Sequence, residues 1–244
     1  MNYRWKWDIF LQASPEGQGT YFDMLVVGLG WTVATALAAW ILALVLGVIV
    51  GVMRTLPSKT AERIGYAYVE LFRNIPLLVQ IFLWYFVLPE VVPPDWGDWI
   101  KQLPQSPFWT TFIAIGFYMS SRVAEQVRAG VGSLPRGQLM AARAIGLTLP
   151  QCYRHVLLPM AGRIMMPSMT SDFLNTIKNT SIGLTIGLME LTSRARAVQE
   201  FSFQVFEAFT AATVIYLLLN MVVVFAMRWL ERKVAVPGYV AGAR

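Results

Sequence analysis

Arg73, Asn74, Arg122, Asn175, Lys178 and Asn179 all interrupt long apolar runs of this sequence, in the company of Glu70, Glu125 and Asp172. Ionised groups are costly in hydrocarbon, so such side chains must face protein or a water-filled path. Their chemistry is recognition rather than bond making. Cations hold carboxylates through charge-assisted hydrogen bonds, and amides add neutral ones. A solute with a side-chain carboxylate carries one more carboxylate than its ammonium balances, and dehydrating that charge requires a positive partner. Arg73, Arg122 and Lys178 are the cations on offer, and Asn74, Asn175 and Asn179 the neutral donors. Catalysis has no comparable set. The lone histidine, His155, and the lone cysteine, Cys152, rule out an ordinary intrachain metal site or a disulfide framework. Neither a catalytic nor a metal-ligating residue is assigned.

Local spacing ranks the three cations. Glu70 precedes Arg73 by one turn, an i,i+3 pair that would engage the guanidinium. Arg122 and Glu125 repeat that spacing, although a guanidinium can still fork onto a second carboxylate. Lys178 has no acidic residue within one turn. It either locks helices together through Asp172, Glu70 or Glu125, or meets the solute. Arg122 ranks slightly ahead of Lys178 as the solute's cation.

The elements that position these residues are membrane spans. The 244 residues are 56% hydrophobic and only 14% charged, far below the quarter usual in soluble domains. The net charge of +6 sits in short loops between apolar runs, so positive-inside bias explains it and nucleic acid does not. No Walker A sequence is present, so a P-loop ATP site is not expected in this chain. Spans are predicted at about 24–52, 64–88, 108–127, 161–187 and 206–229. The fourth is weak by hydropathy because it holds the polar run from Asp172 to Ser181. Gly47 and Gly51 form a GxxxG pair for close helix approach in the first span. Basic loops at 54–63 and 128–163 place those segments in the cytoplasm, with the N-terminus outside and the C-terminus inside. Residues 1–20 carry no signal peptide, and their alternating Tyr3, Arg4, Trp5, Lys6 and Trp7 suit a membrane interface. The fold class is therefore an all-α integral membrane protein of about five spans, forming a single transmembrane domain over 1–244.

One cytoplasmic stretch stands apart. Within the cytoplasmic loop 133–159, the run MAARAIGLTLPQCYRHVLLP (140–159) predicts two short helices joined by a turn. Pro135 delays the first helix, Gly146 supplies a positive-φ stop, and Thr148 with Gln151 forms a capping-box spacing. Pro159 is expected to end the second helix. At about ten residues, roughly 15 Å, neither helix could cross a bilayer.

This elbow resembles the coupling loop of permease subunits of binding-protein-dependent ABC importers. Ala141, Ala142, Gly146, Leu158 and Pro159 match that family's spacing, Val156 stands where isoleucine is usual, and Met140 replaces the leading glutamate. ELFRNIPLLVQ, SSRVAEQVRAGVGSLPRGQ and NTIKNTSI are similar to the polar amino acid subfamily, most of all to the first permease subunit of glutamate/aspartate importers. The resemblance implies a multi-pass protein of the bacterial inner membrane that imports polar amino acids by ATP-driven alternating access. Its implied partners are a second, unlike permease subunit, an ATPase dimer carrying ATP and magnesium, and a periplasmic binding protein. It also implies that Ala141, Ala142, Gly146, Leu147, Val156 and Pro159 couple to the ATPase. The alternative reading is a secondary transporter subunit driven by an ion gradient, which would call for internal repeats and intramembrane carboxylates. No repeat is evident, and Glu70, Glu125 and Asp172 are the available carboxylates.

Overall fold

A computed structural model describes residues 3–17 and 19–234. They are helical almost throughout. The helices are α1 (Tyr21–Met53), α2 (Lys59–Asn74), α3 (Leu77–Val91), α4 (Pro94–Gln102), α5 (Ser106–Gly132) and α6 (Arg136–Ala144). α7 begins at Leu149–Cys152, passes through a π turn at Tyr153–Leu157 and continues as Leu158–Asn179; α8 (Leu191–Ser202) and α9 (Val205–Val234) complete the chain. Short 3₁₀ turns occupy Trp7–Leu11 and Thr180–Ile186.

Prolines decide where these helices break and where they do not. The second predicted span is not one helix. Ile75 is extended (φ −90°, ψ 125°) because Pro76 follows it, and that ends α2. Pro159, by contrast, does not end the second elbow helix. The π turn at Tyr153–Leu157 lies just before it, and α7 runs on to Asn179. Pro89 in α3 likewise follows a π turn, at Leu83–Val87. Proline leaves the carbonyl four residues back without a donor, and a π turn with its i→i+5 bonds absorbs that local mismatch. The second elbow helix and the fourth predicted span are therefore one continuous element.

By length and apolarity, α1 and α9 suffice to cross a membrane, and α2 with α3 would make a third span if taken as one broken helix. α5, with 27 residues, is about 40 Å long and has the length but not the apolarity.

Backbone contacts divide the chain into two compact units. The first holds the described residues up to Trp40 together with Pro76–Gly116 and Asn175–Val223. Its core joins Ile9, Tyr21, Met24 and Leu25 to Leu191, Ala195, Val198 and Ala208. Glu190 is buried and caps α8, accepting from the backbone N–H of Thr192 (2.9 Å) and Ser193 (2.7 Å) and from the Tyr216 hydroxyl (2.8 Å). Burial pushes its carboxyl up against those donors. The N-terminal segment is fastened to this unit. Glu16 pairs with Arg194 at 2.8 Å, and the Tyr3 hydroxyl donates to buried Glu207 at 2.5 Å. That bond raises the Tyr3 hydroxyl to about 12. Trp5 and Trp7 stack at 5.2 Å with much of each ring exposed.

The second unit holds Ile41–Ile75, Phe117–Leu174 and the described residues from Val224 onward. The GxxxG glycines do what their spacing predicts. A Cβ on Gly47 would lie 2.5 Å from Val123 Cβ, and one on Gly51 would lie 2.5 Å from Val127 Cβ and 2.8 Å from the Ala124 carbonyl oxygen. Only glycine lets α1 approach α5 this closely.

Candidate functional site

The elbow's turn is a complete Schellman motif. Gly146 sits at φ +90°, its N–H donates to Arg143 O at 3.0 Å, and the Leu147 N–H reaches Ala142 O at 3.2 Å. Thr148 then starts α7. Its N–H and its hydroxyl both donate to Gln151 Oε1, at 2.8 and 2.9 Å. Beneath the turn, buried Leu134, Tyr153, Leu157 and Ala161 pack with Leu56, Leu139 and Leu149. The Tyr153 hydroxyl donates to Thr55 O at 2.8 Å, tying the elbow to the end of α1. Nothing in local spacing announces that bond, which joins residues 98 positions apart.

The outer surface of the elbow is apolar in the middle and basic around it. Met140 and Ile145 are 66% and 78% exposed, and Arg136, Arg143 and Arg154 are exposed beside them in sequence. Ala141 and Gly146 are exposed, whereas Ala142 is buried and Leu147 and Val156 are half-buried. Ala142 and Leu147 hold the turn's shape, and exposed Met140, which stands in the leading glutamate's place, and Ile145 present apolar side chains that the family's spacing does not mark. Cys152 is fully buried, with its thiol 3.7 Å from Leu147 O, and is not a surface thiol.

The polar residues of the predicted spans follow local spacing only in part. Glu70 takes a hydrogen bond from Asn74 Nδ2 (2.8 Å), not from Arg73, and Arg73 is exposed with no ion pair among the described residues. Arg122 does not pair with Glu125. Its Nε donates to Asp172 Oδ1 at 2.8 Å, and Gln126 Nε2 donates to the other oxygen of that carboxylate. Asp172 is 2% exposed and Arg122 about half exposed. Glu125 is taken instead by Arg54 at 2.5 Å and Arg128 at 3.0 Å. Asn74 and Arg128 are local partners at i,i+4 and i,i+3, whereas Arg122 and Arg54 reach carboxylates on neighbouring helices. A carboxylate buried by packing needs a cation to offset its desolvation, wherever that cation lies in sequence. Asn175, Lys178 and Asn179 share one face of α7 at i, i+3 and i+4. Lys178 is exposed and makes no ion pair among the described residues, while both asparagines are half-buried. Arg73, Asn74 and Arg122 belong to the second unit, and Asn175, Lys178 and Asn179 to the first.

A helical membrane chain with this elbow has known counterparts. Residues 43–236 match the family described as the binding-protein-dependent transport system inner membrane component. The chain belongs to this family. It is a permease component of an ABC transporter and an inner-membrane protein, and the ion-gradient alternative falls away. It is 44% identical over 245 residues to the glutamate/aspartate import permease protein GltJ of Escherichia coli (strain K12), covering 99% of this chain and 100% of that protein. It is 31% identical to the glutamine transport system permease protein GlnP of the same strain, over 79% of this chain and 84% of that one. Among solved structures, an amino acid ABC transporter with histidines matches with a TM-score of 0.74 and 27% identity, over 87% of this chain and 95% of that one. For the fold alone, the permease also matches the inward-facing MetNI methionine ABC transporter, with a TM-score of 0.75 and 22% identity over 92% of this chain and 100% of that one.

Proposed function

We propose that this permease imports acidic amino acids, glutamate and aspartate, as one of two unlike transmembrane subunits above an ATPase dimer, with a periplasmic binding protein delivering the solute. The observation that carries the reading is the full-length likeness to a glutamate/aspartate import permease. ATP and magnesium reside on the ATPase, and this chain contributes the path and the elbow. Closure of the ATPase dimer moves the elbow as a rigid body, because its turn is locked by the Schellman bonds and its underside by the Tyr153 hydroxyl. Ala141, Gly146, Met140 and Ile145 meet the ATPase, Ala142 and Leu147 keep the turn in register, and Val156 and Pro159 lie at the π turn through which the motion passes along α7.

Within the path, Lys178 now ranks ahead of Arg122 as the cation that meets the solute's extra carboxylate. Arg122 is committed to Asp172, whereas Lys178 is exposed beside Asn175 and Asn179. Arg73 and Asn74 are secondary candidates. Uptake into vesicles that hold the assembled importer should require both ATP and the binding protein. In Lys178→Gln vesicles the glutamate-to-glutamine uptake ratio should fall about tenfold, the scale of one charge-assisted hydrogen bond. An unchanged ratio with intact assembly would move acid selectivity to the binding protein or to the other permease subunit.

Five spans, with the N-terminus outside and residues 1–20 at the outer interface, complete the reading. Buried Cys152 cannot report this orientation, so an exposed position must. In a Cys152→Ala background, Ala144→Cys should react with an impermeant thiol reagent only after cells are opened. Asp98→Cys should react in intact cells. The reverse pattern would overturn the orientation.

A further inference from the structure

Lys59, Glu62, Arg63 and Tyr66 fall at i, i+3, i+4 and i+7 on one face of α2, and with Arg54 and Arg128 they line a cleft of about 570 Å³. The cleft carries an excess of positive charge, part of it fixed in place. Arg54 and Arg128 share Glu125 at 2.5 and 3.0 Å, which fixes both guanidiniums. Arg54 is nearly buried, lies 5.8 Å over the Tyr66 ring, and fits against α2 only because residue 65 is glycine: a Cβ there would sit 2.5 Å from Arg54 Cγ. Lys59 and Arg63 are exposed and make no ion pair among the described residues. Four cations thus face two carboxylates, and the two without a partner stand on the α2 wall.

The surroundings select the anion's class. Ile64, Tyr66 and Leu71 of α2 are exposed, and so is the α1 stripe Ile41, Val45 and Ile49 at i, i+4 and i+8. As parts of predicted spans these faces lie against lipid, so an anion that carries acyl chains reaches the cleft along them, whereas a soluble acidic segment makes no use of them. We propose that this cleft binds the phosphodiester headgroup of an anionic phospholipid, whose chains lie along the apolar faces of α1 and α2. Basic clefts between helices at the cytoplasmic boundary suit such headgroups. The inference rests on the inner-membrane reading and not on which amino acid is carried, and its readout is lipid binding rather than uptake.

The test is native mass spectrometry of the purified importer complex released from micelles holding equal phosphatidylglycerol and phosphatidylcholine. The wild-type complex should retain phosphatidylglycerol in excess. Lys59→Gln with Arg63→Gln should lower that excess by about tenfold or more, while Arg196→Gln in α8 should leave it unchanged. If the double variant does not assemble, each single variant is measured and should show part of the loss. Equal retention of the two lipids, or an excess unaltered in the α2 variants, overturns the proposal. Displacement of the lipid by millimolar inorganic phosphate would assign the cleft to a soluble anion instead. Loss of the ATPase subunits from the α2 variants with phosphatidylglycerol still bound would make the cleft a protein contact.

Discussion

Arg122→Leu is expected to destabilise the assembled permease by about 3 kcal/mol, because it strips the guanidinium from a carboxylate that is only 2% exposed. Gln126 still donates to Asp172 in that variant, and a neutral amide cannot balance the charge. Asp172→Asn added to Arg122→Leu should recover much of the loss, since the buried ion then no longer exists. The measurement is a double-mutant cycle on thermal unfolding of the detergent-solubilised complex. A coupling energy near zero would mean that Arg122 does not hold α5 to α7 and is available to the solute after all. The same variants separate the two roles in a second way. A structural Arg122 lowers glutamate and glutamine uptake together, whereas a solute contact lowers glutamate alone.

Gly146→Val is expected to weaken association with the ATPase about thirtyfold, and coupled uptake with it. The residue stands at φ +90° with open space around its Cβ position, so the cost is backbone strain and not a clash. A β-branched side chain at positive φ costs on the order of 2 kcal/mol, which corresponds to that factor. The variant turn relaxes toward negative φ, losing the bonds from Gly146 to Arg143 O and from Leu147 to Ala142 O, and must be strained again to dock. Gly146→Asn is the control. Asparagine tolerates the left-handed region, so its association should stay within a few-fold of wild type. Pull-down of the ATPase by each variant measures the effect. Equal loss in both variants would show that side-chain bulk at the interface matters and that turn geometry does not.

Both experiments turn on features that differ in how far the sequence reveals them. The elbow's turn was legible because its determinants are local. A helix stop needs a residue that tolerates positive φ, a restart needs a capping side chain, and Gly146, Thr148 and Gln151 supply these within six residues. The close approach of α1 to α5 was legible for a similar reason, since Gly47 and Gly51 are spaced one turn apart and lack the atoms that would prevent it. The exposure of Met140 and Ile145 was not legible, because an exposed apolar residue looks the same in sequence as a core one.

Pairing among the charges of the predicted spans was legible only in part. Glu70 with Arg73 and Arg122 with Glu125 have the right helical spacing, yet Glu70 goes to Asn74, Arg122 to Asp172, and Glu125 to Arg54 and Arg128. Of Glu70, Glu125 and Asp172, the one most in need of compensation is Asp172, whose side chain is only 2% exposed, and burial is a property of packing.

Composition, charge placement and short-range turn chemistry therefore determined the membrane class, the helical fold and the elbow, and the resemblance of the elbow and of ELFRNIPLLVQ to known permeases pointed to the family. Tertiary structure alone decided that Pro159 would be carried through a π turn inside one continuous helix, that Cys152 would be buried, and which carboxylate each arginine would serve. The division follows from range. Turns, caps and hydropathy are set by atoms a few residues apart, whereas desolvation and ion pairing are set by whatever packs alongside, here 71 residues away for Arg54 and Glu125 and 178 for Glu16 and Arg194.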